Sequence, residues 1–347
     1  MSGKARRTDS LTPPSPPVGE SGPTGAVATD GRGTPQFASS PAAPGEGDEG
    51  PAEPGGAAGA DQPYLGYWAR AWRRFRHNRT AVAGAVVVLA LCVVAIGAQR
   101  IAPFDPQYQD PNGTTMLGAP LAPGPGHWLG TDADGRDALS RVIYGAQVSL
   151  LVGIGANGIA GLIGLLLGSL AGYFRGWVDT LISRFIDIFL AFPVYLLALA
   201  LVAVLAPSIR TVIGIVVFVY WTSTARIVRG QVLSLRERDF VEAARAVGQG
   251  ELAILLRHIY PHLIATMAVY TSLGIATTVL FEAGLSYLGV GAPHGTPSWG
   301  GMISDNQDAV TTAPWLVFGP GAAIVLTVVA FNLLGDGLRD ALDPYQD

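Results

Sequence analysis

The densest chemistry in this 347-residue chain is a block of three carboxylates in six positions, Asp132, Asp134 and Asp137, interleaved with Gly135 and Arg136. Clustered carboxylate oxygens suit Ca²⁺. The block lacks the glycine and glutamate spacing of an EF-hand loop, however, and Arg136 supplies opposing charge from within. The expectation is therefore a structured loop in which Asp132, Gly135, Arg136 and Asp137 serve as turn residues, with no metal. His127, His258, His262 and His294 are scattered along the chain, with no HExxH pair. Cys92 is the single cysteine, which excludes an intrachain disulfide and a cysteine-rich metal site. No GxxxxGKS/T phosphate loop occurs, and no serine with a base partner is discernible. The reading is a chain with no catalytic residue, no metal and no cofactor of its own.

Three further polar residues stand inside apolar runs. Glu282 is an ionisable group in such a run, and buried membrane carboxylates are functional-site candidates by default. It either faces a translocation pathway or forms a hydrogen bond between packed helices. Asn157 and Asn332 are candidates for joining helices through interhelical hydrogen bonds.

The elements that must position these residues are membrane spans. The chain is 49% hydrophobic and only 14% charged, against about 25% charged residues in soluble domains. Net charge is −4, which argues against a nucleic-acid partner. Apolar runs near the roughly 20 residues that a spanning helix needs occur at 80–101, 144–173, 186–206, 211–227, 263–288 and 315–334. The fold class is thus all-α and polytopic, with six transmembrane helices. Arg70, Arg73, Arg74, Arg76 and Arg79 precede the first run, and this positive cluster places both termini in the cytoplasm. Residues 61–79, where Trp68, Trp72 and Phe75 alternate with those arginines, read as an amphipathic segment on the inner membrane surface. Residues 1–60 hold 22 of the Gly and Pro residues and almost no large apolar side chain. They read as a disordered cytoplasmic tail. Residues 102–143 read as an external loop, 144–338 as a core of five spans, and 339–347 as a cytoplasmic C-terminus. Small residues from Gly153 to Gly172 suit close helix packing. Pro193 is expected to kink the third span.

The cytoplasmic loop 235–261 carries two short helical patterns, about 235–247 and 251–259, separated by Gly248 and Gly250. Pro261 is expected to end the second one before the next span. Two compact helices in such a loop suit either docking into another protein or simple interfacial placement. The stretch resembles the EAA motif of binding-protein-dependent ABC import permeases, through Glu242, Ala243, Ala244, Gly248 and Pro261, with Arg245 beside them. Tyr260 stands where that family usually has Leu, and His262 where it usually has Asn. The rest of the chain, about residues 64–345, is similar to the second (C-type) permease subunit of dipeptide, oligopeptide and nickel importers. The residues that carry this likeness include Trp72-Arg73-Arg74-Phe75, His127-Trp128-Leu129-Gly130-Thr131-Asp132, Gly135-Arg136-Asp137 and Ala191-Phe192-Pro193. Further matches are Phe281-Glu282-Ala283-Gly284-Leu285-Ser286, Ser298-Trp299-Gly300 and Gly335-Asp336-Gly337-Leu338-Arg339-Asp340.

The resemblance implies a type I ABC importer permease fold and an ATP-driven transport role without catalysis in this chain. Glu242, Ala243, Ala244, Arg245, Gly248 and Pro261 would couple to ATPase subunits. Implied partners are a second homologous permease subunit forming a heterodimer, two cytoplasmic ABC ATPase subunits carrying ATP and Mg, and an external substrate-binding protein. The loop at Asp132–Asp137 would lie near that protein. Di- or oligopeptide is the expected cargo, with nickel as an alternative. A secondary, ion-coupled transporter is the competing class, one that would leave the EAA-type loop without a purpose.

Overall fold

The computed structural model describes residues 67–205, 208–293 and 295–342. The tail read as disordered and residues 343–347 lie outside them. Helix α1, Tyr67–His77, sets Trp68, Trp72 and Phe75 along one side and its arginines along the other. Asn78 then caps α2, Arg79–Ile101: its Oδ1 accepts the backbone N–H groups of Thr80 and Ala81 at 3.1 and 3.2 Å. Those donors have no partner within the helix and need such a cap. Past the cap α2 is apolar on every side, and Val86, Leu89, Val93 and Ile96 remain exposed. A helix of that kind belongs in lipid.

Helix α3, Ala138–Phe174, starts at the Asp137 cap and contains a π-helical stretch, Leu151–Ala156. Residues 138–143, expected in the loop, are thus its first turns. Helices α4 (Gly176–Leu190) and α5 (Val194–Val204) follow, then α6 (Ile209–Leu235), α7 (Asp239–Ala246), α8 (Glu251–Tyr287), α9 (Trp299–Asp305) and α10 (Trp315–Leu342). Helices α2, α3, α6, α8 and α10 are each long and apolar enough to cross a membrane, and α4 with α5 makes a sixth if the bent pair is one span. The architecture is the expected all-α polytopic one.

Two elements differ from the sequence reading. The third span is broken rather than kinked: α4 and α5 meet at 88° across Ala191–Phe192–Pro193. Proline lacks the N–H that would continue the helix, and it forces Phe192 out of the α region. Pro261, conversely, ends nothing. Helix α8 runs through it, because the preceding turns, Leu255–Ile259, are π-helical. A π turn carries one extra residue, and the wider register leaves room for the proline ring and its missing donor.

Packing follows the small residues. The second half of α3 lies along α6. A Cβ on Gly164 would sit 2.6 Å from Thr224 Cβ, and one on Gly172 would sit 2.8 Å from Arg229 O. Only glycine permits that approach, and close backbone packing is what holds membrane helices together. One cluster joins Leu150, Ile275, Val279, Trp299 and Phe331, and another joins Val152, Val202, Ile215 and Phe281. Residues 102–137, α9 and the start of α10 cap one end of the helices; Ala138, Ala313 and Leu316 share a small core there. Helix α7 and the first turns of α8 lie at the other end, against Tyr173 at the end of α3.

Candidate functional site

The α7–α8 hairpin is anchored on one side and bare on the other. Val241, Ala244, Ile254, Leu255 and Ile259 are buried with Tyr173 of α3 and with Val228 and Val232 of α6. The turn between the helices is closed by two backbone hydrogen bonds, Gly248 N–H to Arg245 O at 2.9 Å and Gln249 N–H to Ala244 O at 3.1 Å. This is the paired pattern of a Schellman cap, which requires a left-handed residue. Gly248 supplies it, with φ +79°. Nothing lies within 4 Å of a Cβ built there, so the requirement is one of backbone and not of space.

A polar knot locks the hairpin to the spans. The Tyr173 hydroxyl donates to Glu251 Oε2. Arg245 Nη2 reaches the Tyr173 oxygen at 3.5 Å and Glu251 Oε2 at 3.4 Å. The guanidinium carbons of Arg245 and Arg236 stand 5.8 and 5.7 Å from the Tyr173 ring centroid, within the range of cation–π attraction. Hydrogen bonding to Tyr173, then to Glu251, raises the Arg245 pKa above its ordinary value.

Glu242 and Ala243 point away from this anchorage and are exposed. Val247, Leu252 and Leu256 are exposed as well, at 76, 61 and 50%. A rigid hairpin ending in an acid, an alanine and three bare aliphatic side chains is a surface suited to another protein. Pro261 lies one turn farther along α8, exposed.

At the opposite end the acidic block is fully committed to loop structure. Asp132 Oδ1 accepts the backbone N–H of Asp134 at 3.0 Å and of Arg136 at 2.9 Å; its Oδ2 accepts Arg136 Nε at 3.1 Å and Arg141 Nη1 at 2.7 Å. Asp134 pairs with Arg136. Asp137 Oδ2 accepts Ser140 N and Oγ at 2.7 and 2.6 Å while its Oδ1 meets His127 Nδ1 at 2.8 Å. Gly135, with φ +75°, accepts from Asp110 N at 3.1 Å. Among the described residues no group of His, Cys, Asp and Glu is arranged to hold a metal ion. Trp299 ties α9 to α3, donating from Nε1 to Val142 O at 2.9 Å.

Within the spans the singled-out polar residues divide. Glu282, 1% exposed, accepts from Ser149 Oγ of α3 at 2.9 Å and from Ser286 Oγ at 2.7 Å. It is placed in helix packing and not on an open face. Asn157 is buried where the π stretch of α3 ends and donates from Nδ2 to Thr271 O of α8 at 2.9 Å, as expected of a helix-joining residue. Asn332 is exposed on α10 and has no hydrogen bond among the described residues.

Sequence reasoning missed the ion pairs between the broken span and α6. Arg229 holds Asp179 through Nε and Nη2 at 2.5 and 2.8 Å, and Arg226 Nη2 holds Asp187 at 3.0 Å. Charges in apolar runs were their only signal. It missed Tyr173 and Glu251 too, since nothing local links positions 78 apart. His258 bonds Gln249 at 2.8 Å, His262 packs on Phe240, and His294 lies outside the described residues.

Comparison with known proteins bears on this arrangement. The family described as binding-protein-dependent transport system inner membrane component matches residues 164–346, and the N-terminal transmembrane domain of oligopeptide transport permease C matches residues 66–123. The dipeptide transport system permease protein DppC of Alkalihalophilus pseudofirmus is 42% identical over 277 residues, 80% of this chain and 90% of that one. The glutathione transport system permease protein GsiD of Escherichia coli O6:K15:H31 is 46% identical over the same length and shares. Among solved structures, inward-facing conformations of the MetNI methionine ABC transporter give a TM-score of 0.47 at 17% identity, covering 58% of this chain and 96% of that one. With a hairpin anchored by Tyr173, Arg245 and Glu251, five or six apolar spans, and relatives matched over nearly their whole length, the chain belongs to the binding-protein-dependent inner-membrane transport components, as a C-type permease of the peptide ABC importers.

Proposed function

We propose that this chain forms half of the translocation pathway of an ATP-driven importer of short peptides and that the α7–α8 hairpin is its coupling element. The observation that carries this reading is the bare tip. Glu242, Ala243, Val247, Leu252 and Leu256 are exposed on a hairpin whose other side is held by buried aliphatic groups and by the Tyr173 knot. Such a tip moves as a body with α8. Because α8 is continuous from Glu251 to Tyr287, a displacement applied at the tip reaches the Glu282 level without an intervening hinge.

In this reading two ATPase subunits, which carry ATP and Mg, sit on the cytoplasmic side, one against the hairpin. Both termini lie on that side as well, and this chain catalyses nothing. Closure of the ATPase pair draws the coupling hairpins together and opens the pathway outward; hydrolysis restores the inward state. Two global states biased differently by the ATPases and the cargo are all that this requires. The acid-rich cap of residues 102–137, with α9, faces an external binding protein. A second homologous permease subunit covers the exposed Asp187–Arg226 pair, since such groups are costly against lipid. The relatives' names, dipeptide and glutathione permeases, support a short peptide as cargo.

Reconstitution with its partner subunits tests the proposal. ATP-driven uptake of a labelled dipeptide or of glutathione is expected for the native chain. Glu242→Arg is expected to abolish it while the chain stays in the membrane in unchanged amount. Undiminished uptake by that variant contradicts the coupling role.

A further inference from the structure

The break in the third span is exposed, and so are the charges beside it. Irregular backbone at membrane depth is tolerated where it is buried in protein or lines a water-filled space. Ala191, Phe192 and Pro193, between α4 and α5, are all exposed. The exposed residues of α4 fall into two sectors. Arg184, Asp187 and Ala191 follow one another at helical spacing along one, and Leu181, Phe185 and Ile188 along the next. From Val219 to Leu235 the exposed residues of α6 are Ser223, Arg226, Gly230 and Ser234, none of them large and apolar. That is the reverse of the lipid face of α2, where Val86, Leu89, Val93 and Ile96 are exposed.

The two polar sectors meet in the Asp187–Arg226 contact. This pair differs from the lock between Arg229 and Asp179. Arg229 holds both oxygens of Asp179, at 2.5 and 2.8 Å, and the two side chains are 33 and 19% exposed. Arg226 gives one nitrogen to one oxygen of Asp187 at 3.0 Å, and these side chains are 58 and 56% exposed. The other N–H groups of that guanidinium stay open. Arg184 has no hydrogen bond or ion pair among the described residues. Asp179 and Asp187 are the only acids from position 176 to 235. With Asp179 committed to Arg229, the strip carries one carboxylate against two guanidinium groups, and Asp187 lies within electrostatic reach of Arg229 as well.

We propose that this strip lines the translocation pathway and holds the charged ends of the passing peptide, Arg184 and Arg226 its carboxylate and Asp187 its ammonium. The proposal rests on the reading above, that the chain forms half of a pathway for short peptides. A peptide with free ends carries both charges, and the strip offers both signs. Guanidinium groups hold a carboxylate through parallel N–H bonds, and the groups that Arg226 leaves open allow this without loss of its contact with Asp187. The ammonium meets Asp187 and the end of α4, whose last carbonyls have no following turn to donate to them. With the second subunit opposite, the strip is enclosed between two chains and not in lipid. An ion pair that served stability alone would not explain the unpartnered Arg184 or the hydroxyl groups of Ser223 and Ser234 on the same strip.

Access of a charged thiol reagent to the assembled transporter tests the lining. In a Cys92→Ser background, inside-out vesicles without nucleotide are treated with a permanently charged methanethiosulfonate, and labelling of this chain is read by mass. Ser223→Cys and Ala191→Cys are expected to react, and Ile188→Cys, one turn away on the next sector, is expected to be spared. Equal reaction at all three positions overturns the proposal. So does no reaction at Ser223→Cys and Ala191→Cys, which would mean that the strip is sealed against the second permease. The contact with cargo is read by uptake of a labelled dipeptide in the reconstituted complex. Arg184→Gln removes no contact within the chain, so a merely structural role predicts no change; uptake is expected to fall about tenfold. Asp187→Asn together with Arg226→Gln strands no charge and is expected to lower uptake as much. Undiminished uptake in either variant overturns the proposal. Failure of the native complex to take up peptide contradicts the import reading instead, and does not alter the labelling pattern expected of the strip.

Discussion

Gly248 and Glu282 show how single residues set this structure. At Gly248 the demand is a φ of +79° in open space, so a side chain there is resisted by the backbone alone. Gly248→Val is expected to cost about 1–2 kcal/mol and to abolish uptake while the spans stay inserted; Gly248→Asn, which tolerates the left-handed region, is expected to retain part of it. Thermal unfolding in detergent and reconstituted transport read the two effects. At Glu282 the demand is for acceptors: two serine hydroxyls donate to it from α3 and α8. Glu282→Gln keeps a partner for each and is expected to be near neutral. Glu282→Leu strands both hydroxyls and is expected to lose about 1–3 kcal/mol of stability in the same unfolding measurement. Equal losses in the two variants would contradict the packing role. Glu282 and Asn157 were legible in the sequence as polar residues in apolar runs. Asn332 sent the same signal and turned out to be exposed, because a helix apolar on all sides carries no periodicity to say which face is inside. The Tyr173–Glu251 contact was not legible at all; it exists only because α3 ends where α8 begins.

At the scale of elements, the two prolines exchanged their expected roles. Pro193 breaks a span into halves at 88°, whereas Pro261 is absorbed by the π turns before it. A sequence reading weighs a proline by its own geometry and cannot see a neighbouring register that accommodates it. The π stretch has a mechanical consequence. Deleting one residue from Leu255–Ile259 removes the extra residue of the wide turn, and α7 is expected to rotate by about 100° relative to the spans. ATP hydrolysis by the assembled transporter is then expected to continue without uptake, measured as phosphate release against accumulated peptide. Retained uptake would mean that the hairpin's orientation is immaterial. The α3–α6 seam gives a different outcome. Gly164→Leu meets Thr224, with no flexible end to yield, and the expected result is loss of monodisperse protein on size exclusion and not a selective loss of transport.

The described residues have two unlike ends, and the proposed action depends on their facing opposite sides of the membrane. One is a cap of carboxylates satisfied by arginines and backbone. The other is a hairpin with a bare tip beside an arginine-rich helix. In a Cys92→Ser background, a membrane-impermeant maleimide applied to intact cells is expected to label Asp134→Cys and to spare Glu242→Cys. The overall architecture was legible from hydropathy, because lipid demands long apolar helices and little else. The anchorage of the hairpin was legible only in part. The sequence pattern puts Phe240, Ala243, Ala244 and Val247, then Leu252, Leu255, Leu256 and Ile259, on the apolar faces. Val241, Ala244, Ile254, Leu255 and Ile259 are the buried ones, whereas Val247, Leu252 and Leu256 are exposed, because the partners in α3 and α6 that choose the face are far away in sequence. The central claim is that this hairpin receives the motor, and a cross-link tests it most directly. Ala243→Cys, in the same cysteine-free background and co-expressed with the transporter's other subunits, is coupled to a short maleimide–diazirine reagent and irradiated, so that the carbene inserts into whatever protein lies against the hairpin. The account predicts a cross-linked product containing an ATPase subunit, formed to a different extent with and without ATP. A product formed only with a second permease, or none with an ATPase subunit in an assembled and active complex, would contradict it.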